Sequence, residues 1–208
     1  MPVETPTVFV VDDDASVRRS LTRMLFTFGY RVQAAESAAR FLDLAAKASR
    51  PCCVILDVKL PDVDGLELQL RLNQAGQRMP IVFISGHGDI PMSVRAMKAG
   101  AIDFLSKPFV PGVLLAVVRH ALDLDAASCA GRAAADRLGA LVDKLTPRER
   151  QVMDLVAAGL PNKQIGKRLG VAEKTVKVHR GRVMNKLEVS NVVALVSLIG
   201  KIRAASAP

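Results

Sequence analysis

The chain has 208 residues, half of them hydrophobic, with no Trp and a single Tyr, so it can build one large or two ordinary domains around an aliphatic core. No apolar run reaches the roughly 18 residues of a membrane span, and Met1-Pro2-Val3-Glu4-Thr5 lacks the basic and apolar regions of a secretory leader, so a cytoplasmic protein with no membrane partner is expected. The net charge of +9 lies wholly in residues 126–208, while residues 1–125 sum to zero; an excess so placed points to a polyanionic partner for one part of the chain only.

The first part alternates short apolar runs with amphipathic stretches. Thr7–Val11 is a β-branched run that stops at Asp12-Asp13-Asp14. Val17, Leu21, Met24, Leu25 and Phe28 follow at helical spacing, and Gly29 ends that helix. The spacing then predicts a strand near Arg31–Ala34, a helix near Ala38–Ala46, and a strand over Cys52–Leu56 running into Asp57. A loop with Pro61 and Gly65 leads to a helix near Leu66–Asn73. The strand Ile81–Ile84 precedes Ser85, a helix closes at Gly100, Ile102–Leu105 is a fifth strand ahead of Lys107, and a helix over Pro111–Asp123 ends the unit. Five strands alternating with five helices predict an α/β, doubly wound, parallel sheet of order 2-1-3-4-5. Cys52, Cys53 and Cys129 have neither disulfide nor zinc spacing and are expected to be reduced thiols.

Residues 125–144 are Ala-rich and interrupted by Gly131 and Gly139, and are expected to form a partly helical linker between domains at 1–124 and 145–208. Beyond it the pattern is all helical. Thr146-Pro147-Arg148-Glu149 has the form of a capping box, opening a helix to about Ala158. Asn162 is expected to cap a short helix to Leu169, with further helices over Glu173–Leu187 and Asn191–Ile202. Two short helices around a Gly-containing turn form a helix-turn-helix pattern, so this second, smaller domain is expected to be all-α.

The chemistry-bearing residues fall at strand ends. In an open parallel sheet, ligand sites form at the carboxyl ends of the strands where strand order reverses. There Asp12, Asp13 and Asp57 would converge with Ser85 and Lys107. Clustered carboxylates need a cation, and hard oxygen donors suit Mg²⁺. Such an ion and Lys107 would keep Asp57 ionised as a nucleophile and offset an incoming phosphoryl group, with the Ser85 hydroxyl donating to it. His87 is expected to be a bystander.

On the predicted helix over Glu173–Leu187, Val176, Val183, Met184 and Leu187 share a core face. Lys174, Lys177, Val178, Arg182 and Asn185 lie away from it. Exposed Val178 suits a thymine methyl, Lys177 and Asn185 suit base edges, and Lys174, Thr175 and Arg182 suit phosphates. Arg180 is expected to run along apolar surface with its head in solvent, and His179 to pack at the border of the core.

Val11-Asp12-Asp13-Asp14, Asp57-x-x-x-Pro61-Asp62-x-x-Gly65, Ser85-Gly86-His87-Gly88 and Lys107-Pro108-Phe109 resemble the signature of receiver domains. Leu145-Thr146-Pro147-Arg148-Glu149, Gly159-Leu160-x-Asn162-Lys163-x-Ile165 and Lys174–His179 resemble the LuxR-type helix-turn-helix. Together they resemble two-component response regulators of the FixJ and NarL class. The resemblance implies Asp57 as phosphoacceptor, Mg²⁺ held by Asp12, Asp13, Asp57 and the backbone carbonyl of Lys59, and Ser85 and Phe104 as switch residues. It also implies a sensor histidine kinase as donor, pairing of phosphorylated copies through the fourth helix and fifth strand of the receiver, an operator in double-stranded DNA, and RNA polymerase as the target of activation. The protein is then not an enzyme beyond slow self-dephosphorylation. Two other readings remain at this point: a Mg²⁺-dependent aspartyl-phosphate phosphohydrolase, and a DNA-binding protein indifferent to phosphorylation.

Overall fold

The computed structural model describes residues 5–86 and 90–205, with side chains to Gly200. His87 and Gly88 of the receiver-like motif, and Asp89 after them, lie outside the described residues. The chain forms two compact units, Met1–Cys129 and Ala130–Pro208.

In the first unit the strands are β1 (Thr7–Val11), β2 (Arg31–Ala35), β3 (Cys52–Asp57), β4 (Ile81–Ser85) and β5 (Asp103–Ser106). They are joined by α1 (Ala15–Thr27), α2 (Ala38–Ala45), α3 (Gly65–Gln74) and α4 (Ile90–Lys98), with α5 (Pro111–Asp143) following β5. The sheet has the order β2-β1-β3-β4-β5 and every pairing is parallel. β1, β3 and β4 are buried throughout, which is why they read as unbroken apolar runs. Successive side chains enter opposite faces. Phe9, Val11, Val54, Leu56 and Phe83 pack with Phe41 of α2, Leu68 and Leu72 of α3 and Ala96 of α4. Val8, Val10, Cys53, Ile55, Val82 and Ile84 pack with Leu21 and Leu25 of α1 and with Leu114 and Val118 of α5. Burial pushes the Cys52 thiol up to about 11 and raises that of Cys53 as well.

Gly65, which opens α3, has no room for a side chain: a Cβ there would fall 2.5 Å from the carbonyl oxygen of Asp57. Its N–H donates to the Val58 carbonyl at 2.7 Å. The loop after β3 is thereby closed directly beneath the strand end that carries Asp57.

Residues 125–144, expected to be partly helical, are helical through Asp143 as a continuation of α5. Each of Gly131 and Gly139 costs about 1 kcal/mol relative to Ala, and the surrounding alanines, the best helix formers, offset it. Asp125 is no linker residue in its contacts. It is buried, accepts from the Cys52 backbone N–H at 2.8 Å, and forms a salt bridge with Arg50.

The second unit contains α6 (Pro147–Ala157), α7 (Asn162–Leu169), α8 (Glu173–Lys186) and α9 (Val192–Ala205). Its core gathers Leu145, Val152, Val156, Ile165, Val176, Val183, Leu187 and Leu195. The capping box forms: Thr146 Oγ1 accepts from the Glu149 N–H, and the Glu149 carboxylate accepts from the Thr146 N–H at 2.9 Å. The buried Glu149 also holds Lys186 Nζ at 2.7 Å. These bonds, led by that from Lys186, lower its pKa to about 2. Asn162 does not cap α7. It lies one residue inside the helix, behind Pro161, and its Oδ1 accepts from Arg180 Nη1 at 3.0 Å. The same bond corrects the expectation for Arg180, whose head is held by α7 rather than by solvent. Gly166 sets the α7–α8 turn, since a Cβ there would fall 2.8 Å from the Val171 carbonyl. Ala172 precedes α8 without any side-chain cap.

Candidate functional site

The parallel register brings four strand ends to one edge of the sheet. Val11 pairs with Leu56, Asp57 with Ile84 and Ser85 with Ser106. Asp12, Asp57, Ser85 and Lys107 therefore leave neighbouring strands at nearly the same level. Asp12 is fully buried; its Oδ1 accepts from the Asp14 N–H at 2.8 Å and its Oδ2 from Lys107 Nζ at 2.6 Å. Lys107 Nζ also donates to Asp57 Oδ1 at 3.2 Å. Asp13 is exposed beside them, and Asp12, Asp13 and Asp57 each offer an oxygen within 4.8 Å of the others. That donor set, hard oxygens alone and close together, fits a Mg²⁺-sized cation. Asp14 turns away: it caps α1, accepting from the Ser16 N–H at 2.7 Å. Arg18 Nη1 donates to the Asp12 carbonyl at 2.6 Å and steadies the same turn.

Burial raises the pKa of Asp57, Lys107 opposes that rise, and the charges of Asp12 and Asp13 add to it. For Lys107, burial acts downward, but the hydrogen bond to Asp12 and the charges of Asp57 and Asp12 outweigh it and its pKa is raised. Lys107 is thus a permanent cation on the acidic pit.

Ser85 is buried at the end of β4, and its carbonyl accepts from the Lys107 N–H at 2.7 Å. Phe104, on β5, is half-buried against Phe83, with ring centroids 6.2 Å apart. Lys59 is exposed on the loop after β3. On α4, Ile90, Val94 and Met97 are exposed apolar residues.

On α8, Lys174, Thr175, Lys177, Val178, Arg182 and Asn185 are all exposed, while Val176 and Val183, with Leu187 just past the helix end, are buried. Val178 is 48 % exposed, a large apolar side chain on the helix that also exposes Lys174, Lys177 and Arg182. His179 is half-buried and its Nδ1 has no hydrogen-bond partner among the described residues.

Three long-range polar contacts were not read from the sequence. Asp62 binds the start of α2, Glu149 binds Lys186, and Asp125 binds Arg50 and β3. Each joins residues at least 23 apart in the chain, where no periodicity carries a signal.

An α/β sheet of order 2-1-3-4-5 with an acidic pit at its carboxyl edge, followed by a helix-turn-helix unit, defines the class of two-component response regulators with a DNA-binding output. Residues 8–119 match the response regulator receiver domain, and residues 143–199 match the bacterial regulatory proteins of the luxR family. The chain is 46 % identical over 191 residues to nodulation protein W of Bradyrhizobium diazoefficiens, covering 92 % of this chain and 84 % of that one. It is 40 % identical over 198 residues to the transcriptional regulatory protein FixJ of Azorhizobium caulinodans, covering 95 % and 93 %. A solved structure of the response regulator StyR superposes with a TM-score of 0.86 at 47 % identity, covering 95 % of this chain and 99 % of that one. The chain belongs to the response regulator family with a LuxR-type DNA-binding domain, and it is a DNA-binding transcription regulator. Among the described residues no helix is long and apolar enough to cross a membrane.

Proposed function

We propose that Asp57 is the phosphoacceptor of this regulator, and that its phosphorylation by a sensor histidine kinase governs operator binding through α8. The observation that carries the reading is the shared pit: Asp57 lies at hydrogen-bond distance from Lys107, which also binds Asp12, and the three carboxylates sit within one ion's reach. Asp12, Asp13, Asp57 and the backbone carbonyl of Lys59 would hold Mg²⁺. When bound, that ion supplies charge that offsets the carboxylates and the incoming phosphoryl group. An Asp57 carboxylate oxygen forms the new bond to phosphorus as the P–N bond of the kinase phosphohistidine breaks. Lys107 neutralises the phosphoryl oxygens. The Ser85 hydroxyl donates to one of them, and Phe104 moves toward the space that Ser85 leaves.

The output follows from the same chemistry. The modified side chain carries about −1.5 to −2 charges and new acceptor oxygens, enough to bias β4, β5 and α4. Ile90, Val94 and Met97 then form the apolar part of a homodimer face with β5. A dimer engages two half-sites at once and gains from effective concentration. Lys177, Val178 and Asn185 read bases, and Lys174, Thr175 and Arg182 hold phosphates. The bound regulator recruits RNA polymerase as an activator in the cytoplasm. In this reading Asp12, Asp13 and Lys107 serve the ion and the phosphoryl charge, and turnover is limited to slow self-dephosphorylation.

The test is labelling with acetyl phosphate and Mg²⁺. The wild type takes up phosphoryl groups stoichiometrically and Asp57→Asn takes up none. Labelling that persists in the variant sinks the assignment.

A further inference from the structure

The first N–H groups of α2 end on side-chain oxygens. Ser37 Oγ accepts from Arg40 at 3.2 Å. The other two belong to Asp62, whose Oδ1 accepts from Ala38 at 3.1 Å and Oδ2 from Ala39 at 2.9 Å. Asp62 is remote in sequence. It lies in the loop between β3 and α3, the loop that carries Lys59, and its Oδ1 also accepts from the Val63 N–H at 3.1 Å.

That loop is fixed at its ends, where the Val58 N–H donates to the Ile84 carbonyl at 3.3 Å and Asp64 Oδ1 accepts from the Leu66 N–H at 2.8 Å, and it is held in its middle as well. Gly65 closes its far end against Val58. Leu60 and Val63 pack on the core, a contact that is non-directional and tolerates sliding. Asp62 alone among these makes directional bonds from the middle of the loop to another element. The carboxylate spans two adjacent N–H donors, which fixes both its distance and its orientation on the helix end.

We propose that Asp62 is a positioning residue for the metal site, anchoring residues 58–64 on the start of α2 so that the Lys59 carbonyl faces the acidic pit. The inference rests on the reading of that pit as a Mg²⁺ site. Groups that orient metal ligands commonly govern affinity by about 10–100-fold, without touching the ion.

The test is Mg²⁺ affinity of the unphosphorylated, full-length chain by isothermal titration, with the Tm measured alongside. Asp62→Ala is expected to raise the Mg²⁺ Kd by about tenfold, and Asp62→Asn, which keeps one acceptor oxygen, by less. Saturating Mg²⁺ is expected to restore acetyl phosphate labelling of Asp62→Ala. Ser37→Ala removes the remaining cap of α2 and leaves the loop's own bonds in place, so it is expected to lower Tm with an unchanged Kd. An unchanged Kd in Asp62→Ala, or an equal rise in Ser37→Ala, overturns the positioning role while leaving the metal site standing. A wild-type chain that binds no Mg²⁺ overturns the metal reading itself.

Discussion

Lys107 Nζ lies 2.6 Å from the fully buried carboxylate of Asp12, with Asp57 at 3.2 Å on its other side. One ammonium therefore offsets two acids that share an edge of the sheet with a third. Lys107→Ala removes that cation. At neutral pH the variant is expected to lose about 2–3 kcal/mol of receiver stability. The sign of the pH dependence follows from Asp57. Its folded pKa is already raised above 3.8 by burial, and without Lys107 it rises further. A raised carboxylate favours the folded state below its ordinary pKa, and that contribution is lost as pH rises through the folded value. The penalty in Lys107→Ala should shrink in acid and grow toward neutrality, as urea unfolding at a series of pH values will show. A penalty independent of pH contradicts the arrangement.

Glu149 behaves in the opposite sense. Its bonds to Lys186 and the Thr146 N–H hold its pKa near about 2, below its ordinary 4.5. A depressed carboxylate contributes stability above its unfolded pKa, and that contribution disappears as pH falls from 4.5 through about 2. Glu149→Gln is expected to cost the helical unit about 2 kcal/mol at neutral pH and almost nothing in strong acid. Circular dichroism melts at both ends of that range check it.

Gly65→Ala places a Cβ 2.5 Å from the Asp57 carbonyl oxygen, where backbone and not a flexible side chain must yield. The variant is expected to fold with about 1–3 kcal/mol less stability and to label more slowly with acetyl phosphate at limiting Mg²⁺. Wild-type labelling kinetics would show that the end of β3 has slack.

Two substitutions on α8 separate base reading from phosphate contact. Lys177→Ala is expected to weaken operator binding by about 1–3 kcal/mol, with little effect on unrelated duplex. Arg182→Ala is expected to weaken every duplex alike and to lower the salt slope of binding by about one. Labelling of Asp57 should be unchanged in both. Competition titrations at several salt concentrations resolve the two patterns.

The centre of the sheet was legible because β1, β3 and β4 are buried on both sides and run into Asp12, Asp57 and Ser85, so apolar runs and polar stops mark the same boundaries. The capping box at Thr146 was legible because it is local. What escaped was non-local or governed by competition between local signals. Asp125 sits in an Ala-rich stretch that looks like a linker, and only the fold brings Arg50 and Cys52 to it. Asn162 has the chemistry of a cap, yet Arg180 takes its oxygen from 18 residues away. The glycines in α5 suggested breaks, and the alanines beside them prevailed. At the strand ends, the positions of the expected pit residues followed from pattern, while the division of Lys107 between Asp12 and Asp57 needed coordinates.

Burial of Cys52 and Cys53 inside β3 has a practical consequence. With both sulfurs shut away and held in the protonated form, a maleimide added to the native chain meets Cys129, partly exposed on α5. A fluorophore or nitroxide can be installed there without prior mutagenesis. The chain thus comes with its own attachment point for watching α5 in solution while a phosphodonor is added.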